Sequence, residues 1–264
     1  MKLSKKILIS FTLGLCMNPV FADQNFFNAT EISAKKGDMT AQYNLGVMYA
    51  NGQGVTQNYS KAFEWYSRAA AQGDADAQYR LGLMYASGQG VAQNYSKAFE
   101  WYSKAAAQGD ALVQNRLGVM YANGQGVAQN YSKAFEWYGK AAAQGDATAQ
   151  YNLGSMYDNG EGVTQNYSKA FHWYSKAAAQ GDVTAQNNLG ALYVNGQGVA
   201  QSYSKAFEWY SKAAAQGNLN AQYNLGVMYY NGDGISQSDA KAFEWFNKAA
   251  AQGHAQAKRL LETW

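Results

Sequence analysis

Cysteine and proline are almost missing from this 264-residue chain: there is one of each, Cys16 and Pro19. Both fall within the first 22 residues. Beyond that segment there is no disulfide, no thiolate nucleophile and no cysteine-based metal site, so packing alone must hold the fold. Histidine is nearly as scarce. His172 and His254 stand apart, with no second His or Cys close in sequence, so neither a metal site nor a His-based catalytic triad is expected. No apolar run approaches the roughly 20 residues that a membrane-spanning helix needs. A surplus of one charge is missing too. The formal net charge of +3 comes from Lys2, Lys5 and Lys6; without them 18 basic residues face 18 acidic ones. A neutral chain exerts no long-range pull on nucleic acid or an anionic membrane.

The first 22 residues read as a secretory signal. Three lysines precede the apolar run at residues 7–16, and Val20-Phe21-Ala22 puts small or apolar residues before a cleavage site expected after Ala22. Leu15 stands before Cys16 where a lipid-anchor motif needs a small residue, which argues against lipidation. The mature protein is therefore expected to be exported, to the periplasm or outside the cell, and to be a monomer without cofactor or metal.

A glycine recurs every 36 residues: Gly37, Gly73, Gly109, Gly145, Gly181, Gly217 and Gly253. Six full copies occupy residues 37–252. A half-unit at residues 23–36 precedes them, and a capping half-unit at 253–264 follows. Each copy carries two helix signals. The first helix is capped by Asp38, Asp74, Asp110, Asp146, Asp182 or Asn218 and has an apolar stripe at Ala41, Leu45 and Met48/Tyr49. It stops at an Asn-Gly-Gln-Gly stretch. The second is capped by Asn58, Asn94, Asn130, Asn166, Ser202 or Ser238 and has a stripe at Ala62, Trp65/Tyr66 and Ala69. A Glu64–Arg68 pair, Glu–Lys in most copies, has the i,i+4 spacing of a helix-stabilising ion pair. The row Trp65, Trp101, Trp137, Trp173, Trp209 and Trp245 is the expected mark of a continuous core, since it shares its stripe with small alanines.

Ala41-x3-Leu45-Gly46-x2-Tyr49-x2-Gly52-x-Gly54-Val55, followed by Lys61-Ala62-x2-Trp65-Tyr66-x2-Ala69-Ala70-x-Gln72-Gly73, resembles the Sel1-like repeat, a relative of the tetratricopeptide repeats. The resemblance covers residues 37–261. It implies an all-α, right-handed superhelical solenoid of antiparallel helix pairs. It also implies a scaffold or adaptor for a protein or peptide partner, as in exported bacterial members tied to envelope assembly or host-cell contact. Cysteine-rich members are described as acting on β-lactams, which makes a β-lactam or cell-wall hydrolase the alternative. Those members staple each repeat with a disulfide, and here there is none. No unique catalytic set breaks the repeat symmetry, so no catalytic residue is expected.

The copies differ most along one face of the first helix. Unit position 7 reads Tyr43, Tyr79, Asn115, Tyr151, Asn187 and Tyr223; position 8 reads Asn44, Arg80, Arg116, Asn152, Asn188 and Asn224. Position 4, position 11 (Val47, Leu83, Val119, Ser155, Ala191, Val227) and position 14 vary too. Asn can pair with a peptide backbone, Arg with carboxylates, and Tyr gives rigid contact area. These twelve residues at positions 7 and 8 are the candidate partner-binding set; the resemblance implies that the first helices line a concave groove, so the partner is expected along that concave face. The competing reading packs position 7 between units and leaves position 8 solvated. The Gly-x-Gly turns lack the strand, third Gly and Lys of a phosphate loop. Asp158-Asn-Gly-Glu161 and Asp233-Gly, read as turns, lack the spacing of a calcium loop.

Overall fold

The computed structural model describes the backbone from residue 19 and side chains from residue 24, through Trp264. The expected leader lies outside the described residues up to residue 18. Its last few residues form the first turn of a helix, α1 (Pro19–Lys35). Fourteen α-helices and no strand are found among the described residues. After α1 come α2 (Met39–Asn51), α3 (Tyr59–Ala71), α4 (Ala75–Ser87), α5 (Tyr95–Ala107), α6 (Ala111–Asn123), α7 (Tyr131–Ala143) and α8 (Ala147–Asn159). Then follow α9 (Tyr167–Ala179), α10 (Val183–Asn195), α11 (Tyr203–Ala215), α12 (Leu219–Asn231), α13 (Asp239–Ala251) and α14 (Ala255–Glu262). The chain forms two compact units, divided between Gln93 and Asn94.

Every cap does what its residue type allows. Asp38 accepts the Ala41 N–H at 2.6 Å and Asn58 accepts that of Lys61 at 2.9 Å. The serine caps are looser: Ser202 and Ser238 accept at 3.4 Å. His254, in the aspartate's place, uses its ring Nδ1 to accept the Ala257 N–H at 3.2 Å. At the end of α3 the N–H of Gly73 reaches Ala70 and that of Asp74 reaches Ala69, the two bonds of a Schellman stop. Gly73 takes the left-handed conformation at φ 98°, so one residue later the next helix can begin.

Within the first unit, α2 and α3 are antiparallel. The Asn58 N–H bonds the Tyr49 carbonyl, Gly46 faces Tyr66, and Gln42 meets Gln72. Leu45 is wholly buried, and Ala41, Met48, Tyr49, Ala62, Tyr66 and Ala69 join it, as the stripes predict. α4 then packs on α3 with Phe63 edge-on to Tyr85. The second unit repeats this arrangement for α6 with α7, α8 with α9, α10 with α11 and α12 with α13, each pair packing on the next, and α14 covering α13. Each unit is thus a run of α/α solenoid.

The aromatic core differs from the expectation. Its centre is the tyrosine beside each tryptophan: Tyr66, Tyr102, Tyr138, Tyr174 and Tyr210, then Phe246. Of the tryptophans only Trp65 is fully buried. Trp173, Trp209 and Trp245 pack half-buried against the cluster of the preceding repeat. A cation three residues on covers one ring face at 4.0–4.7 Å: Arg68 over Trp65, then Lys104, Lys140, Lys176, Lys212 and Lys248. That contact does not exclude the expected i,i+4 ion pair, since Lys248 makes both. Glu244–Lys248 closes at 2.7 Å, while Arg68 lies on Trp65 instead of on Glu64.

Tyrosine occupies the centre because of the glycine opposite. A Cβ on Gly46 would stand 2.6 Å from the Tyr66 ring, and one on Gly118 would stand 2.6 Å from the Tyr138 ring. Glycine inside a helix costs about 1 kcal/mol relative to alanine, and here that cost admits a flat ring. Beside this contact lies a buried polar seam. Gln42, 6% exposed, donates to the Ala34 carbonyl and accepts from Gln72 at 2.7 Å. The second unit repeats it with Gln150 and Gln180, Gln186 and Gln216, and Gln222 and Gln252. Each pair staples the two ends of a repeat together and ties it to the helix before.

Candidate functional site

The variable face lies on the first helices, and in each unit some of its residues are drawn into pairs. In the first unit, Tyr43 and Asn44 on α2 are half-buried, as is Tyr79 on α4, while Arg80 is exposed. The Arg80 guanidinium hydrogen-bonds the Tyr43 hydroxyl, one repeat back. The Tyr43 ring lies 5.7 Å from that of Tyr66. Burial raises the Tyr43 hydroxyl's pKa and the bond from Arg80 partly offsets it; burial raises Tyr66 far further.

In the second unit, Asn115 and Arg116 lie on α6, Tyr151 and Asn152 on α8, Asn187 and Asn188 on α10, and Tyr223 and Asn224 on α12. Position 8 again reaches back to position 7 of the repeat before. Asn152 donates to Asn115 at 3.0 Å, and Asn224 donates to Asn187 at 3.3 Å. Asn187 also donates to its neighbour Asn188 at 3.3 Å, and Asn188 hydrogen-bonds the Tyr174 hydroxyl. Arg116 is exposed. Tyr151 lies 5.8 Å from Tyr174, and Tyr223 lies 5.7 Å from Phe246 and stacks on His254 at 4.4 Å. Tyr43, Tyr151 and Tyr223 therefore pack on the core aromatic ring of their own repeat. Polar tips remain at the surface beside them.

The face is not uniform. At positions 11, 14 and 17 most copies carry apolar residues and glutamine, but the fourth carries Ser155, Asp158 and Glu161. Asp158 is in the last turn of α8, not in the loop where the sequence reading put it. The Tyr174 hydroxyl donates to its carboxylate at 3.2 Å. Burial raises the Asp158 pKa, and the bond from Tyr174 partly restores it. One repeat earlier the equivalent of Asp158 is Ala122, and there the surface opens. A cleft of about 80 Å³ is lined by Ala122, Tyr131, Tyr138, Asn152, Ser155, Met156 and Glu161. Tyr138 is only 5% exposed overall, but its hydroxyl is not sealed in: it borders the cleft and makes no hydrogen bond with the described residues. Burial first, and then the nearby Glu161 carboxylate, pushes its pKa up to about 12.

Neither the cleft nor the glutamine seam was read from the sequence. The signal for the cleft was present: three substitutions spaced by three residues in one copy, each adding a polar or acidic group. The signal for the seam was two glutamines unchanged in all six copies. Among the described residues, no group of three His, Cys, Asp or Glu side chains could hold a metal ion, and no helix is long and apolar enough to cross a membrane.

The model of the Sel1 repeat matches residues 40–74, 75–110, 111–146, 147–182, 183–218 and 219–254. Among solved structures, c5321, described as a protective antigen of uropathogenic Escherichia coli with this repeat fold, is 39% identical with a TM-score of 0.83. The match covers 88% of this chain, which spans about half (50%) of that protein. A Sel1 repeat protein from Oxalobacter formigenes is 32% identical with a TM-score of 0.70, over 88% of this chain and 97% of its own. No curated protein matches the chain.

Proposed function

Because the chain belongs to the Sel1 repeat family, whose fold is generally a scaffold for protein–protein contact, we propose that it is an exported adaptor binding a partner protein or peptide along its first helices. The observation that carries this reading is the row of half-exposed Asn, Arg and Tyr at positions 7 and 8. Several of these side chains are held by their neighbours, as Tyr43 by Arg80, Asn115 by Asn152 and Asn187 by Asn224, so they have little rotamer freedom left to lose on binding. Arg80 and Arg116 are exposed and offer forks to carboxylates. Export rests on the sequence of the first 22 residues. Envelope assembly and host-cell contact both suit an exported scaffold, and the description of a similar protein as a protective antigen favours the second.

Affinity capture from envelope and host-cell fractions tests this function. The parent chain is expected to retain a defined partner, and Arg80→Ala with Arg116→Ala to weaken it by about tenfold or more. Unchanged capture by a folded double variant would sink the role given to this face. Mass spectrometry of the exported chain should find Asp23 at its N-terminus.

A further inference from the structure

We propose that the cleft between the third and fourth repeats seats the guanidinium group of an arginine side chain from the partner. The inference rests on the binding role above only in taking that arginine to belong to another protein. Its basis is a comparison of two equivalent places. Around Tyr174, the hydroxyl is answered by Asp158 of its own repeat and Asn188 of the next. Around Tyr138 the same two positions are Ala122 and Asn152. The alanine leaves space, and the tyrosine's hydroxyl borders that space with no hydrogen bond to the described residues.

What surrounds that space accepts hydrogen bonds. The Asn152 amide donates to Asn115, which leaves its Oδ1 available. Ser155 Oγ accepts from Asn159 at 3.3 Å and has a lone pair remaining. Glu161 supplies a carboxylate, and no Lys or Arg lines the cleft. Several acceptors set at different angles suit a planar group with five donors and no acceptor. An incoming carboxylate would meet Glu161. Tyr131 adds an aromatic wall, on which guanidinium groups stack well. At about 80 Å³ the cleft takes a side-chain head, far below the roughly 300 Å³ at which ligand pockets begin.

The repeats themselves supply the variants for a test. Glu161→Gln installs the residue of copies one, two, three and five; Ala122→Val installs that of copy five, Val194. Both residues are already tolerated in this fold. The full chain is titrated with Nα-acetyl-arginine methylamide and followed by the NMR shifts of the Ser155 and Glu161 amides. Saturable shifts with a dissociation constant on the order of 1–10 mM are expected, as suits so small a head group. Each variant should weaken binding by about fivefold or more, one by charge and one by volume. The citrulline analogue, equal in shape and neutral, should not bind. Equal binding of citrulline, equal binding of the lysine analogue, or a parent-like response from both variants would overturn the proposal. Partner capture lost in the Arg80 and Arg116 variants but unchanged in these two would leave the scaffold standing and remove the arginine seat. Saturable arginine binding with no partner captured would do the reverse.

Discussion

Two rows of residues run along the same first helices and follow opposite rules. The inner row, Gln42 and Gly46 and their counterparts, is the same in all six copies. The outer row, positions 7 and 8, pairs as Tyr43 with Arg80, Asn115 with Asn152, and Asn187 with Asn224. A ring lying flat on a glycine has one geometric solution, since any Cβ would meet it. A half-exposed hydrogen bond has several, because water can stand in for a partner. Sequence drift is therefore tolerated in the outer row, where changes cost less, and that is also the row proposed to bind.

The sharpest way to break this contrast is Gly118→Ala in α6. Helix propensity favours the change by about 1 kcal/mol. The clash with the buried Tyr138 ring opposes it, and a net loss of about 1–2 kcal/mol is expected in chemical unfolding. Gly139 in α7 is the control: nothing lies within 4 Å of a Cβ there. Gly139→Ala should stabilise by about 0.5–1 kcal/mol, an opposite sign for the same substitution in the partner helix. A loss at both positions would show that ring packing is not what selects glycine. Next in size comes Gln186→Leu, which takes away the acceptor of Gln216 and a donor to Ala178. It should cost about 1 kcal/mol, read as a lower unfolding midpoint in denaturant.

The smallest effect is expected at Asp158, at position 14 of the same variable first helix. Burial holds its carboxyl above the ordinary range, so the folded chain keeps this proton more tightly than the unfolded chain does. Stability from this group is therefore greatest at low pH and falls as pH rises through the raised value. Asp158→Asn keeps an acceptor for Tyr174 and removes the charge. The variant should melt higher than the parent at pH 7 and together with it at pH 3. A parent that melts higher at pH 7 would mean that the bond from Tyr174 outweighs burial.

Much of this fold was legible because helical repeats write it many times over. The 36-residue glycine spacing, the alternating caps and the apolar stripes all sit within one short segment each, so local rules suffice. His254 as a cap could be read the same way. The tryptophan row misled because hydrophobic size suggests depth, whereas depth is set by what lies opposite: glycine faces the tyrosine, and a lysine lies over each half-buried tryptophan. The pairing of positions 7 and 8 depends on residues 37 apart in adjacent copies, a relation that no single helix pattern contains. The cleft depends on a missing side chain, Ala122, which registers only beside its counterpart Asp158.

The uniform inner row bears on how such a chain changes length. Wherever a repeat presents the same glycine, ring and glutamine pair to its neighbour, one inserted or deleted copy rebuilds a junction that already exists. Size can then change in steps of 36 residues without any new interface having to be invented. Reach along a partner becomes adjustable by recombination, while what is recognised at each step is left to point mutation.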